Sequence, residues 1–203
     1  LRSIKKFDGS DRIPARRLPS DPVRIISGSA KGTRLGRVPP GTRPLSDRAR
    51  EGLFSSLGDH VVDATCADLY AGTGAVGIEA LSRGAASCLF VDSSPAAVRA
   101  VEENLGRAGL EERGLVVRTP VPLALRRERG EFDLLFLDPP YDIPEEELRE
   151  ALALAADRLA TNGAFVLTRP KRRDSTDVIP LQFRATKLLS YGDARILVCR
   201  RQP

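Results

Sequence analysis

Between residues 65 and 169 five short apolar runs, "TCADLY", "SCLFVD", "GLVVRT", "FDLLFLD" and "GAFVLTR", alternate with four segments of helical character, "AVGIEALSRG", "SPAAVRAVEENLGRAG", "PLALRRER" and "PEEELREALALAADRLA". The punctuation agrees with the pattern: Gly84 ends the first helix, Pro95 sits in the first turn of the second, and Gly109 follows its end. A strand that reaches the next one through a helix pairs with it in parallel, so the alternation demands a parallel sheet with helices on both faces. The closing stretch "FRATKLLSYGDARILVCRR" reads as two strands joined at Gly192 and Asp193, a hairpin. The 203 residues suit one such α/β domain plus an extension. Open α/β sheets bind ligands at the carboxyl ends of their strands, so chemistry is expected there.

The segments upstream differ in character. Residues 1–22 show no apolar period and read as a disordered or tag-like extension. Residues 23–60 read as a unit of their own. "VRIISGSAKGTRLGRV" suggests two strands around a tight turn. "RPLSDRAREGLFSSLG" suggests a helix capped by Ser46, with Asp47 in its first turn and an apolar stripe of Leu53, Phe54 and Leu57. The alternating domain then occupies 61–203.

The first strand end carries "DLYAGTGAVG", with Gly72, Gly74 and Gly77 in the spacing G-x-G-x-x-G and Asp92 closing the next strand. Taken literally this is a dinucleotide fingerprint. Asp68 argues otherwise. It stands four residues before Gly72, where a pyrophosphate would meet a like charge. Unit charges 4 Å apart interact by about 4 kcal/mol at an effective dielectric near 20. S-adenosylmethionine carries an ammonium and a sulfonium and no phosphate, so an acid at this loop favours it. Asp92 can accept hydrogen bonds from ribose hydroxyls in either case.

The fourth strand ends on Asp138, Pro139, Pro140 and Tyr141. The two prolines fix the backbone and remove its N–H donors. What remains is a carboxylate, the Pro139 carbonyl and an aromatic face. This set matches a planar base with an exocyclic amine: the acceptors hold the amine hydrogens, the ring stacks, and the nitrogen lone pair is freed. Asp138 can take the released proton, and the rest is positioning and electrostatics.

Other chemistries recede. The single histidine, His60, lies in "LGDHVVDA", away from the strand ends, which excludes histidine triads and two-histidine metal sites. Cys66, Cys88 and Cys199 are too scattered for a metal site, so no metal is expected, and an odd, dispersed set of thiols suits the cytoplasm. No uninterrupted apolar stretch reaches the ~18 residues of a membrane span. Charge is uneven. Residues 1–50 hold 13 Lys and Arg against 4 Asp and Glu, whereas 51–203 hold 19 against 23. A basic arm on a mildly acidic body points to a polyanion, with Arg24, Lys31, Arg34, Arg43, Arg48 and Arg50 as candidate phosphate contacts and "RPKRRD" at 169–174 as a second basic run.

On "RIISGSAKGTRL", "TRPLSDRAREGLFSSL", "DLYAGTGAVGIEALSRGA", "FVDSSPAAV" and "FDLLFLDPPYD" the chain resembles the class I S-adenosylmethionine-dependent methyltransferases, and more narrowly the RsmD family of bacterial 16S ribosomal RNA (guanine-966-N2)-methyltransferases. The resemblance implies a Rossmann-like fold with a seven-stranded, mostly parallel sheet whose final hairpin adds the antiparallel strand. It implies methyl transfer from S-adenosylmethionine to the N2 amine of a guanine in the small ribosomal subunit by a monomeric, cytoplasmic enzyme. Cofactor contacts are then expected from Asp68, Tyr70, Ala71, Gly72, Thr73, Gly74, Gly77, Asp92 and Ser93, with Thr119 or nearby backbone serving the adenine. The base grip falls to Asp138, Pro139, Pro140 and Tyr141, and the RNA contacts to the basic arm. Three other readings stay open: an amino-methyltransferase acting on adenine N6 in DNA or another amine, a dinucleotide oxidoreductase, and an RNA-binding protein without turnover.

Overall fold

The structure, a computed structural model, describes residues 23–36, 38–39, 42–172 and 177–202. The expectation for residues 1–22 lies outside this range. Seven strands form one sheet in the order β3-β2-β1-β4-β5-β7-β6: β1 Thr65–Leu69, β2 Ser87–Asp92, β3 Gly114–Arg118, β4 Phe132–Leu137, β5 Leu159–Pro170, β6 Phe183–Tyr191 and β7 Ala194–Arg201. The first five pair in parallel, and β7 runs antiparallel to both β5 and β6. This is the Rossmann-like arrangement expected of the alternation, with the final hairpin folding back so that its last strand lies inside the sheet.

Strand alternation sorts the side chains onto two faces. Cys66, Phe90, Phe136 and Val166 join the cluster under α1 Asp47–Leu57, α2 Ala75–Ser82 and α3 Pro95–Ala108. Leu69, Val91, Leu135 and Leu167 join the cluster under α4 Val121–Arg127 and α5 Glu145–Asp157. Both layers are covered, which is why the strands read as continuous apolar runs. Gly77 lets α2 lie close on the sheet, because a Cβ there would come 2.4 Å from the Phe90 ring. Cys66 and Cys88 are register partners on β1 and β2, and all three cysteines are free and buried. Burial pushes the Cys66 and Cys199 thiols up to about 12 and the Cys88 thiol well above its usual value. Among the described residues, no helix is long and apolar enough to cross a membrane.

Two local expectations shift. The helix read through residue 160 stops at Asp157, because Leu159 already pairs with Phe132 across a bulge and opens a longer β5. The N-terminal hairpin pairs antiparallel at a single bridge, Arg24 to Arg34, rather than through two full strands. Other bonds of this segment go to the body. The Ile26 and Ser27 amides donate to the Glu79 carboxylate at 2.7 and 3.0 Å, and Glu79 is itself buried and paired to Arg83 at 2.7 Å. Ser82 accepts at its Oγ from the Ala30 amide and donates to the Ser27 carbonyl. Val23, Ile25 and Leu35 sit in the same apolar cluster as α1 and the sheet.

Arg50 corrects an expectation. Its side chain is fully buried and donates to Asp47 at 2.8 Å and to the Arg24 carbonyl at 2.7 Å, so it welds α1 to the hairpin and is not a phosphate contact. Arg169, at the head of the second basic run, is also buried, at the end of β5. Part of that run lies outside the described residues.

The close approach at Gly77 generates a prediction. Gly77→Ala forces the α2 backbone off Phe90 and costs about 1–3 kcal/mol, the usual penalty of overpacking. A urea titration followed by circular dichroism is expected to show a lower midpoint with an unchanged slope.

Candidate active site

The carboxyl edge of the sheet holds a cavity of about 520 Å³, within the range of cofactor pockets. Asp68, the penultimate residue of β1, is 2 % exposed. Its Oδ2 accepts from the Gly77 amide at 2.9 Å. The N-cap of α2 is Gly74, which has no side chain to offer, so the strand supplies the missing acceptor for the first turn of the helix. Burial, opposed by the Gly77 bond and reinforced by the Asp138 and Asp92 carboxylates, pushes the Asp68 carboxyl up to about 8.

The glycine loop turns through three left-handed residues, Tyr70 (φ 64), Gly72 (φ 56) and Gly74 (φ 72). The first is a tyrosine, a costly conformation for a bulky side chain. The residue lines the cavity, its side chain packs against the apolar layer under α4 and α5, and its hydroxyl lies buried with no hydrogen-bond partner among the described residues; burial, with Glu147 and Glu150 of α5 nearby, pushes the phenol up. Asp92 fastens the loop. Its Oδ2 accepts from the Gly72 amide at 2.9 Å and its Oδ1 from the Ser94 amide at 2.8 Å. A carboxylate oxygen has more than one lone pair, so both remain able to accept from a ligand at the cavity wall.

Asp138 follows β4 directly, and its amide reaches the Leu69 carbonyl at 3.4 Å. The carboxyl meets the cavity but is otherwise enclosed by protein, and burial pushes it up to about 7. Pro139 is buried, Pro140 exposed, and Tyr141 half-buried. A second recess of about 180 Å³ shares Asp138 and Tyr141 with the first. Across it, Arg43 donates to Asp193 at 2.6 and 3.0 Å, and the guanidinium carbon stands 5.9 Å from the centroid of the Tyr141 ring.

The expected residues therefore fall into three groups. Asp68, Tyr70, Ala71, Gly72, Thr73, Asp92, Ser93, Asp138, Pro139, Pro140 and Tyr141 line one cavity. Gly74 and Gly77 stand behind it, where they shape the loop and, through the Gly77 amide, hold Asp68. Thr119 does not reach the cavity; it is buried past β3 with its amide on the Asp92 carbonyl at 3.1 Å. Of the basic residues, Arg24, Lys31, Arg34, Arg43 and Arg48 keep some exposure to solvent. Thr42, Pro44 and Leu45 also line the cavity, and Thr42 Cγ2 would be 2.7 Å from a Cβ on Gly72. The sequence signal for this cover was the proline in "TRPL" just ahead of a capped helix. Asp193 had no signal beyond its place in a hairpin turn.

Asp68, Asp92 and Asp138 face one cavity in which, among the described residues, the only arginine or lysine is Arg43. The edge therefore suits a cationic ligand, which these carboxyls meet by ionising, better than a phosphate, which they cannot pair. The raised carboxyls of Asp68 and Asp138 mark a place where positive charge is wanted. S-adenosylmethionine fits this test on charge and on cavity size. Among the described residues, no cluster of His, Cys, Asp and Glu is arranged to hold a metal ion.

The chain is similar to several known proteins. The family model described as "Conserved hypothetical protein 95" matches residues 23–200. A Bacillus subtilis protein named as a candidate rRNA methyltransferase, YlbH, is 41% identical over 186 residues, which cover 89% of this chain and 100% of its own. The Escherichia coli ribosomal RNA small subunit methyltransferase D is 39% identical over 126 residues, 60% of this chain and 62% of its own. Among solved structures, a candidate methyltransferase, yhhF, from Escherichia coli aligns with a TM-score of 0.77 at 29% identity over 90% of this chain and 99% of that one. A hypothetical protein from Thermus thermophilus aligns with a TM-score of 0.74 at 33% identity over 88% and 99%.

The two raised carboxyls make a pH prediction. A bound cation lowers the pKa of Asp68 and Asp138, so binding near pH 7 expels protons that the free protein holds. Titration calorimetry of S-adenosylmethionine in buffers of different ionisation enthalpy is expected to show net proton release at pH 7. The release fades above about pH 9, where both groups are already charged. Asp68→Asn and Asp138→Asn each remove part of it.

Proposed function

The chain belongs to the RsmD family of methyltransferases, and from that premise we propose that it transfers a methyl group from S-adenosylmethionine to the exocyclic N2 amine of a guanine in 16S rRNA of the small ribosomal subunit. The observation that carries the reading is the meeting of two strand ends in one cavity. The glycine loop with Asp68 and Asp92 forms one wall, and Asp138, Pro139, Pro140 and Tyr141 form the other.

When bound, S-adenosylmethionine supplies a methyl group on a positively charged sulfur, which the amine nitrogen attacks as the C–S electron pair returns to sulfur. The chain's own residues prepare that event. Asp68 neutralises cationic charge beside the loop, and Asp92 accepts from the ribose. The Asp138 carboxylate and the Pro139 carbonyl accept from the two amine hydrogens, which draws the nitrogen away from conjugation with the ring. Tyr141 stacks on the base and replaces the neighbour it loses on leaving the RNA. With a pKa of about 7, Asp138 is ionised in a large share of molecules at neutral pH and basic enough to hold the proton the amine sheds.

The RNA reaches the site from the basic side. Arg24, Lys31, Arg34, Arg43 and Arg48 orient phosphates without reading sequence, and base choice falls to the pocket. The arrangement needs no second subunit and suits a monomer acting in the cytoplasm, where small subunits are assembled.

The test is transfer of label from radioactive S-adenosylmethionine to undermethylated small subunits, with DNA and free protein as alternative acceptors and the modified base mapped afterwards. Label in guanine N2 of 16S rRNA is expected. Label in DNA adenine or in protein instead overturns the assignment. Asp138→Ala is expected to lower kcat by about 10²-fold or more while S-adenosylhomocysteine still binds by calorimetry.

A further inference from the structure

The smaller recess is bounded on its outer side by the Arg43–Asp193 pair, one residue from the segment ahead of α1 and the other from the β6–β7 turn. Asp193 grips the Arg43 guanidinium through both carboxylate oxygens, and that guanidinium lies over the face of Tyr141. A flat N–C–N group with N–H donors thus already stands over the tyrosine ring, 5.9 Å from its centre, with its edge closed by a carboxylate. Guanine contains the same fragment. Its N1–H, C2 and N2 amine are a guanidine built into a ring. The Arg43 and Asp193 side chains are 68 % and 57 % exposed, so solvent and an incoming anion reach both partners of the pair.

We propose that Arg43 keeps the seat of the target base in the free enzyme, and that Asp193 accepts the N1–H of guanine once Arg43 is displaced. The pair is then the specificity-determining element of the site, an inference that rests on the guanine-N2 reading above. Adenine turns an unprotonated N1 with its lone pair toward the carboxylate and is repelled. 2-Aminopurine keeps the N2 amine but has no N1–H, and it leaves Asp193 without a partner. The released Arg43 stays at the mouth of the recess, where a phosphate of the incoming RNA replaces Asp193 as its partner. Entry of the base therefore exchanges one ion pair for two charge-assisted contacts, and in the free enzyme the protein's own side chain stands at the wall of the recess.

A pair that merely braced the 42–46 segment against the β6–β7 turn would tolerate reversal of its charges, whereas a pair that reads a base would not. The experiment compares methylation of undermethylated small subunits by the wild type, Asp193→Ala, and the double variant Arg43→Asp with Asp193→Arg. Thermal melting and S-adenosylhomocysteine calorimetry serve as controls for folding, with Asp193→Asn as the isosteric alternative. In parallel, subunits reconstituted with 2-aminopurine in place of the target guanine are offered to the wild type and to Asp193→Ala.

The expected result is a loss of about tenfold or more in kcat/KM for Asp193→Ala, the scale of one lost charge-assisted hydrogen bond. No recovery is expected in the reversed pair. The wild type is expected to prefer guanine to 2-aminopurine, and Asp193→Ala to lose that preference. Recovery in the reversed pair, an unchanged kcat/KM in Asp193→Ala, or a preference for guanine that survives the substitution overturns the inference while the methyltransferase reading stands. Failure of the wild type to methylate guanine in any subunit overturns that reading and this inference with it.

Discussion

Two carboxyl groups stand at adjacent strand ends, Asp68 buried and Asp138 only partly open to the cavity. Desolvation resists their ionisation, lifting Asp138 to about 7 and Asp68 to about 8 from an ordinary value of 3.8. Between that ordinary value and the raised ones, the unfolded chain has released protons that the folded chain keeps, so the free protein loses stability as pH rises through this window. The protein keeps these groups where they cost stability, at the edge of the sheet where ligands bind. A stabilising partner for them has to come from outside, and it has to be positively charged.

The loop that presents this charge-hungry edge is itself held by carboxylates. Asp68 replaces the cap that Gly74 lacks, and Asp92 ties the Gly72 amide to the start of α3. The N-terminal segment closes the arrangement from above through Glu79, Ser82 and Asn104, which accept from the amides of Ile26, Ser27, Ala30 and Gly36. Asn104 also donates to the Thr73 carbonyl at 2.9 Å, so one side chain of α3 reaches both the hairpin and the glycine loop. The hairpin and the glycine loop are thereby tied to one another through a single amide side chain.

The parallel core was legible because its signals are local: apolar runs, Gly84 after α2, Pro95 in the first turn of α3 and Gly109 just past its end. The strand-end acids were legible because topology dictates where such ends converge. Arg50 was misread because burial is a tertiary property. In sequence it is one more arginine on a basic helix, and it is the hairpin carbonyl of Arg24 and the carboxylate of Asp47 that turn it inward. Thr119 was expected at the adenine only because the resemblance calls for a contact after the third strand; it is buried behind the cavity with its amide on the Asp92 carbonyl. Asp193 was invisible as a site residue because 150 positions separate it from the arginine it holds. Its place emerges only when β7 folds back between β5 and β6 and swings the turn toward Tyr141.

The three cysteines lie within the apolar layers, two of them opposite one another across β1 and β2. With their thiols lifted to about 12 or well above the usual value, almost no thiolate exists near neutral pH to react with an alkylating or oxidising reagent. Chemistry at sulfur must wait until the sheet parts. The native chain therefore carries its own clock for opening: the rate at which a maleimide attaches reports how often the interior is exposed, with no engineered probe.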